Sequence, residues 1–180
     1  ADFNNDSYLD YIQVDMDAKD NRRSKANMAS MNPDLFWSTV NYGFHYQYMH
    51  NTLQLNRRIE GDKPFFSNIS RLSGISSTDW SWGPLLADLD NDGWKDLFIS
   101  NGIRREINHR DFFNEIKLRP MSNDSLLYYT EQMPSEAIAN FTFKNNADLT
   151  FTDVSESWGL DQKNFSNGAT YADLDNDGDL

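Results

Sequence analysis

Acidic and amide side chains recur at alternate positions in three stretches of the chain. The stretches read ADFNNDSYLD from Ala1, ADLDNDGWKD from Ala87 and ADLDNDGDL from Ala172. A calcium ion is held in proteins by several oxygen ligands, and a tight turn with oxygen-bearing side chains at alternate positions supplies them. The spacing therefore predicts three calcium loops.

Loop 2 (residues 88–96) contains the complete predicted ligand set, and Gly93 at its sixth position permits a sharp turn. Loop 1 (residues 2–10) has Ser7 at that position, and loop 3 (residues 173–180) ends before its ninth position, so the sequence is expected to be a piece of a longer chain. The predicted ligands are Asp88, Asp90, Asp92, Trp94 (carbonyl) and Asp96 in loop 2; Asp2, Asn4, Asp6, Tyr8 (carbonyl) and Asp10 in loop 1; and Asp173, Asp175, Asp177 and Asp179 (carbonyl) in loop 3.

Two other interpretations of the loops are weaker. Asp, Asn and Gly also dominate ordinary turns, but three such turns at near-constant spacing are hard to explain that way. An EF-hand needs a bidentate Glu at position 12 and a helix on each side of the loop. Position 12 of loop 2 is Ile99, and its flanks are rich in the β-branched and aromatic residues of strands.

The loops recur within a longer repeat. Asp2 and Asp88 are 86 residues apart, and Asp88 and Asp173 are 85 residues apart. At an offset of 85, residues 87–93 coincide with residues 172–178 without a mismatch. Aromatic residues and glycines upstream of the loop also coincide, so the repeat is a structural unit and more than a recurring turn.

Each repeat contains four short strand candidates, and the acidic loop joins the first to the second. In the complete repeat they are residues 82–89, 95–100, 140–145 and 151–155; the last two of the preceding repeat are residues 51–56 and 65–70. Four antiparallel strands per repeat are typical of a β-propeller blade, although a β-sandwich would share most of the pattern.

We therefore predict an all-β fold with helical insertions, namely a β-propeller fragment of four-stranded antiparallel blades. The predicted units are a partial blade at residues 1–79, a complete blade at residues 80–156 and the truncated start of another at residues 157–180.

Two inserts interrupt the blades between their second and third strands, at about residues 15–48 and 102–139. Both exceed a usual hairpin connection and carry helix signals, such as Asn32 before Pro33, and Pro120 and Pro134 as stops. Successive turns of an antiparallel meander lie at opposite ends of the sheet, so the inserts should lie opposite the calcium. Long loops on a rigid scaffold often carry function, so the inserts are the predicted binding surface; packing over blade edges is the alternative.

These residues resemble a known family. The succession of a strand, D-x-D-x-D-G-x-x-D, a second strand, an Asn-rich third strand and F-x-x-(V/I)…G-(I/L) resembles the FG-GAP/VCBS repeat, the calcium-bearing blade of integrin-α-type propellers. The strings NTLQLN, STDWSWGPLLADLDNDGWKDLFISNG and FTDVSESWGLDQKNFSNGATYADLDNDGDL are similar to Bacteroidota surface proteins, often with an ASPIC/UnbV-type module, and to the cartilage-acidic-protein group. The resemblance implies Ca²⁺, an extracellular or outer-membrane location and a protein or glycan partner at the cell surface, with adhesion as a role.

Composition agrees with an exported scaffold. The net charge is −12, and ten of the 28 acidic residues are predicted side-chain ligands of calcium, so nucleic acid is an unsuitable partner. The chain has no cysteine and therefore no disulfide framework. No apolar run in these residues is long enough to be a transmembrane segment, and neither a signal peptide nor a lipidation motif is visible among them.

No catalytic constellation is found, so the chain is not expected to be an enzyme by itself. His45, His50 and His109 show no H-E-x-x-H spacing, and G-x-S-x-G does not occur. Two alternatives stay open: a propeller polysaccharide lyase or hydrolase with catalytic residues outside this sequence, and an accessory subunit of an outer-membrane complex.

Two further features bear on glycans. Trp80 and Trp82 could line a sugar site, although aromatic residues at a strand start more often pack between blades. Ser125 lies in D-S-L, which is similar to the D-(S/T)-aliphatic O-glycosylation motif of Bacteroidota.

Overall fold

A computed structural model describes residues 1–27, 33–46, 48–60, 63–119, 123–178 and 180. Its strands are β1 (Tyr11–Gln13), β2 (Met16–Asp17), β3 (Thr52–Glu60), β4 (Lys63–Asn68), β5 (Asp79–Ala87), β6 (Asp96–Asn101), β7 (Ile138–Ala139), β8 (Phe141–Asn145), β9 (Phe151–Asp153) and β10 (Lys163–Asn164). Its helices are α1 (Asn21–Asn27), α2 (Pro33–Asn41), α3 (Arg110–Ile116) and α4 (Asn123–Glu131).

The longer strands form two antiparallel sheets. The first has the order β1–β3–β4 and the second the order β2–β5–β6–β8–β9, while β7 pairs with β10. Strands β5, β6, β8 and β9 form a meander in the order predicted for the complete repeat, with loop 2 joining β5 to β6. The mostly β character of the chain and its antiparallel sheet are confirmed, and the closed ring of a propeller stays a prediction.

Strand boundaries differ from the sequence prediction at two places. Strand β5 begins at Asp79, before the predicted start at residue 82, because Asp79 and Trp80 pair with Asp17 and Met16 of β2. Described residues 165–178 contain no strand, although the third repeat was predicted to begin with one. The N–H of Ser166 bonds to the carbonyl of Asn101 at 2.9 Å, but no described strand pairs with this segment in a regular ladder.

The hydrophobic core lies between the two sheets. Leu53 and Leu55 of β3 contribute from the first sheet, and Leu97 and Ile99 of β6 from the second. Phe3, at the second position of loop 1, is fully buried in the same core. The core also contains Ile75, Phe143 and Phe151. Because the side chains of both sheets meet here, each sheet buries the apolar face of the other.

A buried asparagine directly precedes the third strand of each repeat, Asn51 before β3 and Asn140 before β8. Its side chain bonds to neighbouring segments at the end of the sheet where the insert lies. Asn51 is fully buried; it accepts the N–H of Asp15 at 2.8 Å and donates to the carbonyl of Ile75 at 2.9 Å and to the Thr78 hydroxyl. Asn140 has the matching role in the second repeat. Its side-chain oxygen accepts the N–H of Asn101 at 2.9 Å, and its amide donates to Ser166.

The inserts contain the predicted helices and one more. Helix α2 is followed by Gly43, whose φ is +88°, and α3 begins after His109, whose ring nitrogen accepts a backbone N–H of the first turn. Helix α4 ends at Glu131, before the predicted stop at Pro134, and α1 was not predicted separately. Asn32 and Pro120 lie outside the described residues. No helix in the described ranges is long and apolar enough to cross a membrane.

A buried ion cluster joins the two inserts. Arg23 of α1 is 4% exposed and makes a bidentate pair with Asp79 at 2.6 and 2.8 Å. It also donates to Glu106 at 2.9 Å and to Glu136 at 3.0 Å, and Glu136 accepts two bonds from Arg22. Asp79 begins β5 and loop 2 follows the end of β5, about 26 Å away for nine residues at strand rise. The ion cluster and loop 2 therefore lie at opposite ends of the sheet.

We expect Asn51→Ala to lower the free energy of unfolding by about 3 kcal/mol, since it leaves an N–H, a carbonyl and a hydroxyl buried without their partner. Asn114→Ala, on the exposed surface of α3, is the control and should change stability by less than about 0.5 kcal/mol. Urea unfolding of the three proteins measures the difference. Equal free energies of unfolding for the two variants would contradict the proposal that the buried hydrogen bonds of Asn51 stabilise the sheet.

Candidate metal centre

The three acidic loops share one backbone turn, held by the aspartate at position 1. Asp88 accepts the N–H groups of Asp92 at 3.0 Å and of Gly93 at 2.9 Å. In loop 1 the position-1 aspartate likewise accepts the N–H groups of positions 5 and 6, at 3.1 and 2.8 Å. In loop 3 it accepts those of positions 4 and 6, Asn176 and Gly178, at 2.7 and 3.0 Å. Backbone φ is positive at positions 4 and 6 of all three loops. The position-1 carboxylate therefore orders the turn as well as offering oxygen to a cation.

The aspartate at position 9 ties loops 1 and 2 to their sheets. Asp96, fully buried, accepts the N–H of Leu89 within the loop at 3.1 Å and the N–H of Asn145 on β8 at 2.9 Å. Asp10 accepts the N–H of Phe3 at 3.2 Å and the N–H of Asn56 on β3 at 2.8 Å. One carboxylate thus joins the start of the loop to the third strand in both repeats.

An asparagine completes each of these junctions. The side-chain amide of Asn145 donates to the carbonyl of Lys95 at 3.0 Å, and that of Asn56 donates to the carbonyl of Leu9 at 3.1 Å. In both repeats the acceptor is the residue just before position 9. The asparagines at the end of NTLQLN and NFTFKN therefore have the same structural role.

Burial raises the pKa of both position-9 carboxyl groups. Two backbone N–H donors lower the pKa of Asp96, while the neighbouring charges of Asp90 and Asp92 raise it further. Asp10 is affected in the same way, with Asp2 and Asp6 as the repelling charges. A cation bound among these carboxylates would relieve the repulsion in each loop.

Carboxylate oxygens converge in loops 2 and 3. Oxygens of Asp88, Asp90 and Asp96 lie within 4.8 Å of one another, and so do oxygens of Asp173, Asp175 and Asp177. Either cluster could hold a metal ion.

Loop 1 differs from loops 2 and 3 in the arrangement of its carboxylates. Its third position is the amide Asn4, and among the described residues its carboxylates Asp2, Asp6 and Asp10 do not converge within that distance. The structure thus brings together three of the four predicted carboxylates of loop 2, without Asp92, and the three predicted side-chain carboxylates of loop 3. The fourth predicted ligand of loop 3, the carbonyl of Asp179, lies outside the described residues.

Loop 2 also contacts a lysine that the sequence analysis did not single out. The ammonium of Lys144, on β8, is bonded to Asp90 and lies 2.9 Å from a carboxylate oxygen of Asp92. The bond from Lys144 lowers the pKa of Asp92, and the two carboxylates raise the pKa of Lys144. Lys144 immediately precedes Asn145, so the register of β8 places it at the loop.

Loops 1 and 2 are neighbours in space. The side-chain amide of Asn5 donates to the carbonyl of Gly93 at 3.0 Å, and that of Asn145 donates to the carbonyl of Phe3 at 2.8 Å. Asn145 therefore bonds to both loops at once, because its amide also reaches Lys95. The carbonyls predicted as ligands, of Tyr8 and Trp94, occupy matching positions in the two turns.

Trp80 and Trp82, which the sequence placed together as a candidate sugar site, lie in different environments. Trp80 is 5% exposed and packs with Ala18, whereas Trp82 is 48% exposed and its indole N–H donates to the carbonyl of Gly102 at 2.6 Å. The two rings therefore do not form one surface. Ser125, the predicted glycosylation residue, is half-buried in the first turn of α4.

Three aromatic side chains of the first insert pack together. The rings of Tyr46 and Tyr48 are stacked at 6.4 Å with an interplanar angle of 6°, and Phe36 of α2 packs against both. Tyr46 is 59% exposed and Tyr48 56% exposed. We call Phe36, Tyr46 and Tyr48 the aromatic group of the insert.

Comparison of the chain with protein-family models, with curated proteins and with solved structures finds no match. The FG-GAP/VCBS resemblance therefore depends on the residues and spacings of this sequence.

Ser7 offers a test of the shared turn, since its φ is +71° where loop 2 has Gly93 at +88°. We expect Ser7→Gly to raise the free energy of unfolding by about 1 kcal/mol, because a side chain is strained in the left-handed region. The reciprocal Gly93→Ser should lower it by a similar amount. Thermal unfolding in excess chelator compares them, and a destabilising effect of Ser7→Gly would contradict the equivalence of the two turns.

Proposed function

We propose that this chain is a calcium-stabilised β-propeller module of an exported cell-surface protein, which binds a protein or glycan partner through its inserts. The observation that carries the proposal is the convergence of Asp88, Asp90 and Asp96 in a loop whose backbone turn recurs in all three repeats. The family resemblance supports the same reading. In such a module each loop lies at the end of a blade.

The donor set favours calcium over other divalent ions. Side chains and carbonyls of the loops offer oxygen alone, whereas zinc and copper sites are built from histidine and cysteine, and the chain has no cysteine. Calcium tolerates irregular oxygen cages, while magnesium demands a small octahedral one. An exposed acidic loop with several carboxylates therefore suits calcium best.

The role of the ion is structural. Asp88 orders the turn and Asp96 anchors it to β8, so an ion bound to both would join the end of β5, the loop and the start of β6. The expected dissociation constant is roughly 10⁻⁴ to 10⁻³ M, as in extracellular modules. At about 1 mM calcium this stabilises the fold by about 0.4 to 1.4 kcal/mol per site.

Partner binding is assigned to the opposite end of the sheet. Arg23 joins the first insert to the second through a buried ion pair, while the rings of Tyr46 and Tyr48 remain exposed. Exposed tyrosine rings suit a protein or a sugar partner, because they combine an apolar face with a hydroxyl group. We therefore place the partner at the first insert and the metal at the loops.

The metal assignment is tested with Asp90→Ala. Among the described residues Asp90 bonds to Lys144 and to no backbone N–H of the loop, so its loss should remove a ligand without unfolding the turn. We expect calorimetric calcium titration of the full-length protein near 1 mM to show one fewer occupied site. Asp161→Ala, which removes an exposed carboxylate outside the loops, is the control and should titrate like the unchanged protein. Unaltered stoichiometry with Asp90→Ala would contradict the assignment.

The partner assignment is tested with Tyr46→Ser/Tyr48→Ser, which removes the two stacked rings. We expect binding of the full-length protein to the cell envelope of its source to fall at least about tenfold, with calcium stoichiometry unchanged. Tyr11→Ser, an exposed tyrosine of β1 outside the inserts, is the matched control. Protease and periodate treatment of the envelope would separate a protein partner from a glycan.

The opposite pattern would overturn this division between the two ends. If the tyrosine variant bound fully, while Asp90→Ala lost binding without losing stability, the loop end would be the recognition surface.

A further inference from the structure

Loops 1 and 2 differ at two positions that compensate each other. Position 3 is Asn4 in loop 1 and Asp90 in loop 2, so loop 2 has one more carboxylate. The residue before the junction asparagine is Leu55 on β3 and Lys144 on β8, so loop 2 also has one more cation. The pairing of the third strand with position 9 makes these two positions equivalent in the structure.

Lys144 offsets the extra carboxylate of loop 2. Loop 1 has the carboxylates of Asp2, Asp6 and Asp10, which total −3, whereas loop 2 has four carboxylates, which total −4. The ammonium of Lys144 pairs with two of them, those of Asp90 and Asp92. Loop 2 also has Lys95 where loop 1 has Leu9, but among the described residues Lys144 is the lysine that forms ion pairs with the carboxylates of the loop.

The contacts of Lys144 place its ammonium on the oxygens that a metal ion would use. It is bonded to Asp90, which belongs to the converging set of carboxylates, and lies 2.9 Å from Asp92. Its side chain is 35% exposed, so the ammonium has a path to water when it leaves. A cation therefore already lies at loop 2, and it is covalently part of the chain.

We propose that Lys144 is a tethered counter-ion of loop 2 that competes with a divalent cation for Asp90 and Asp92 and so sets the concentration at which this loop fills. The inference rests on the proposed calcium function. At low calcium the ammonium neutralises the fourth carboxylate; at high calcium the doubly charged ion displaces it, and Lys144 turns to solvent. Loop 1, with Asn4 and Leu55, has neither the extra charge nor the competitor.

The competition is tested by replacing Lys144 in the full-length protein and titrating loop 2 by itself. Terbium, a stand-in for calcium, emits when a nearby tryptophan is excited, and Trp94 at position 7 lies in loop 2. Trp94→Phe identifies the part of the signal that comes from this loop. Calcium is then added to displace terbium, which yields the calcium affinity of loop 2.

We expect Lys144→Met to bind calcium about five- to tenfold more tightly at loop 2, because a competing positive charge is removed from the site. Lys144→Arg keeps the charge and should stay close to the unchanged protein. Lys163→Met removes an exposed lysine outside the loops and controls for the change in net charge. Calcium affinity of Lys144→Met equal to that of Lys163→Met would overturn the proposal.

A second measurement in excess chelator does not depend on metal. Lys144→Met should lower the melting temperature, and Asp90→Asn in the same chain should recover part of the loss, since the double variant lacks both the fourth carboxylate and its counter-ion, as loop 1 does at the equivalent positions. Independent, additive effects of the two changes would overturn the counter-ion role.

The terbium experiment distinguishes failure of the proposed calcium function from failure of the proposed role of Lys144. Absence of a loop 2 terbium signal in every variant would refute the calcium function, and the competition with it. A normal signal that Asp90→Ala abolishes and Lys144→Met leaves unaltered would refute the role of Lys144 alone.

Discussion

The buried carboxylate at the end of an acidic loop is the interaction on which the rest of the structure depends. Asp96 accepts an N–H of its own loop and an N–H of the third strand, and Asp10 makes the same two contacts one repeat earlier. Without this junction the loop would lose its fixed position relative to the sheet. Phe3, which Asp10 holds by its N–H, would then not be placed in the core between the sheets.

The buried position of Asp96 also has an electrostatic cost, because a charged carboxylate is less stable away from water and beside other carboxylates. Burial and neighbouring aspartates disfavour the charged form of Asp96, and its backbone donors offset only part of that cost. The ammonium of Lys144 supplies positive charge to Asp90 and Asp92, the two aspartates that repel Asp96. A metal ion held by Asp88, Asp90 and Asp96 would supply positive charge to the same group of carboxylates.

Local signals in the sequence predicted much of this architecture, and long-range contacts limited the rest. The strand order and the acidic loops could be predicted because D-x-D-x-D-G and alternating apolar residues act over a few positions. The sequence shows that asparagines recur at both ends of NTLQLN and NFTFKN, but it does not show what they bond to. Asn51 bonds to Ile75 and Asn145 bonds to Phe3, and both partners are distant in the chain. Lys144 and Arg23 gave no local signal, because their roles depend on which strand or helix lies beside them in the fold.

The two sheets are fastened at both of their ends. At the loop end, Asn145 and Asn5 cross from one repeat to the other; at the insert end, Arg23 joins the first insert to the start of β5. Two sheets that are joined along one edge alone can rotate apart about that edge. Here such a rotation about the loop end would break the buried bond between Arg23 and Asp79, and rotation about the insert end would break the buried bond between Asn145 and Phe3. The two repeats therefore keep one relative orientation, and the angle between the loop surface and the insert surface stays constant.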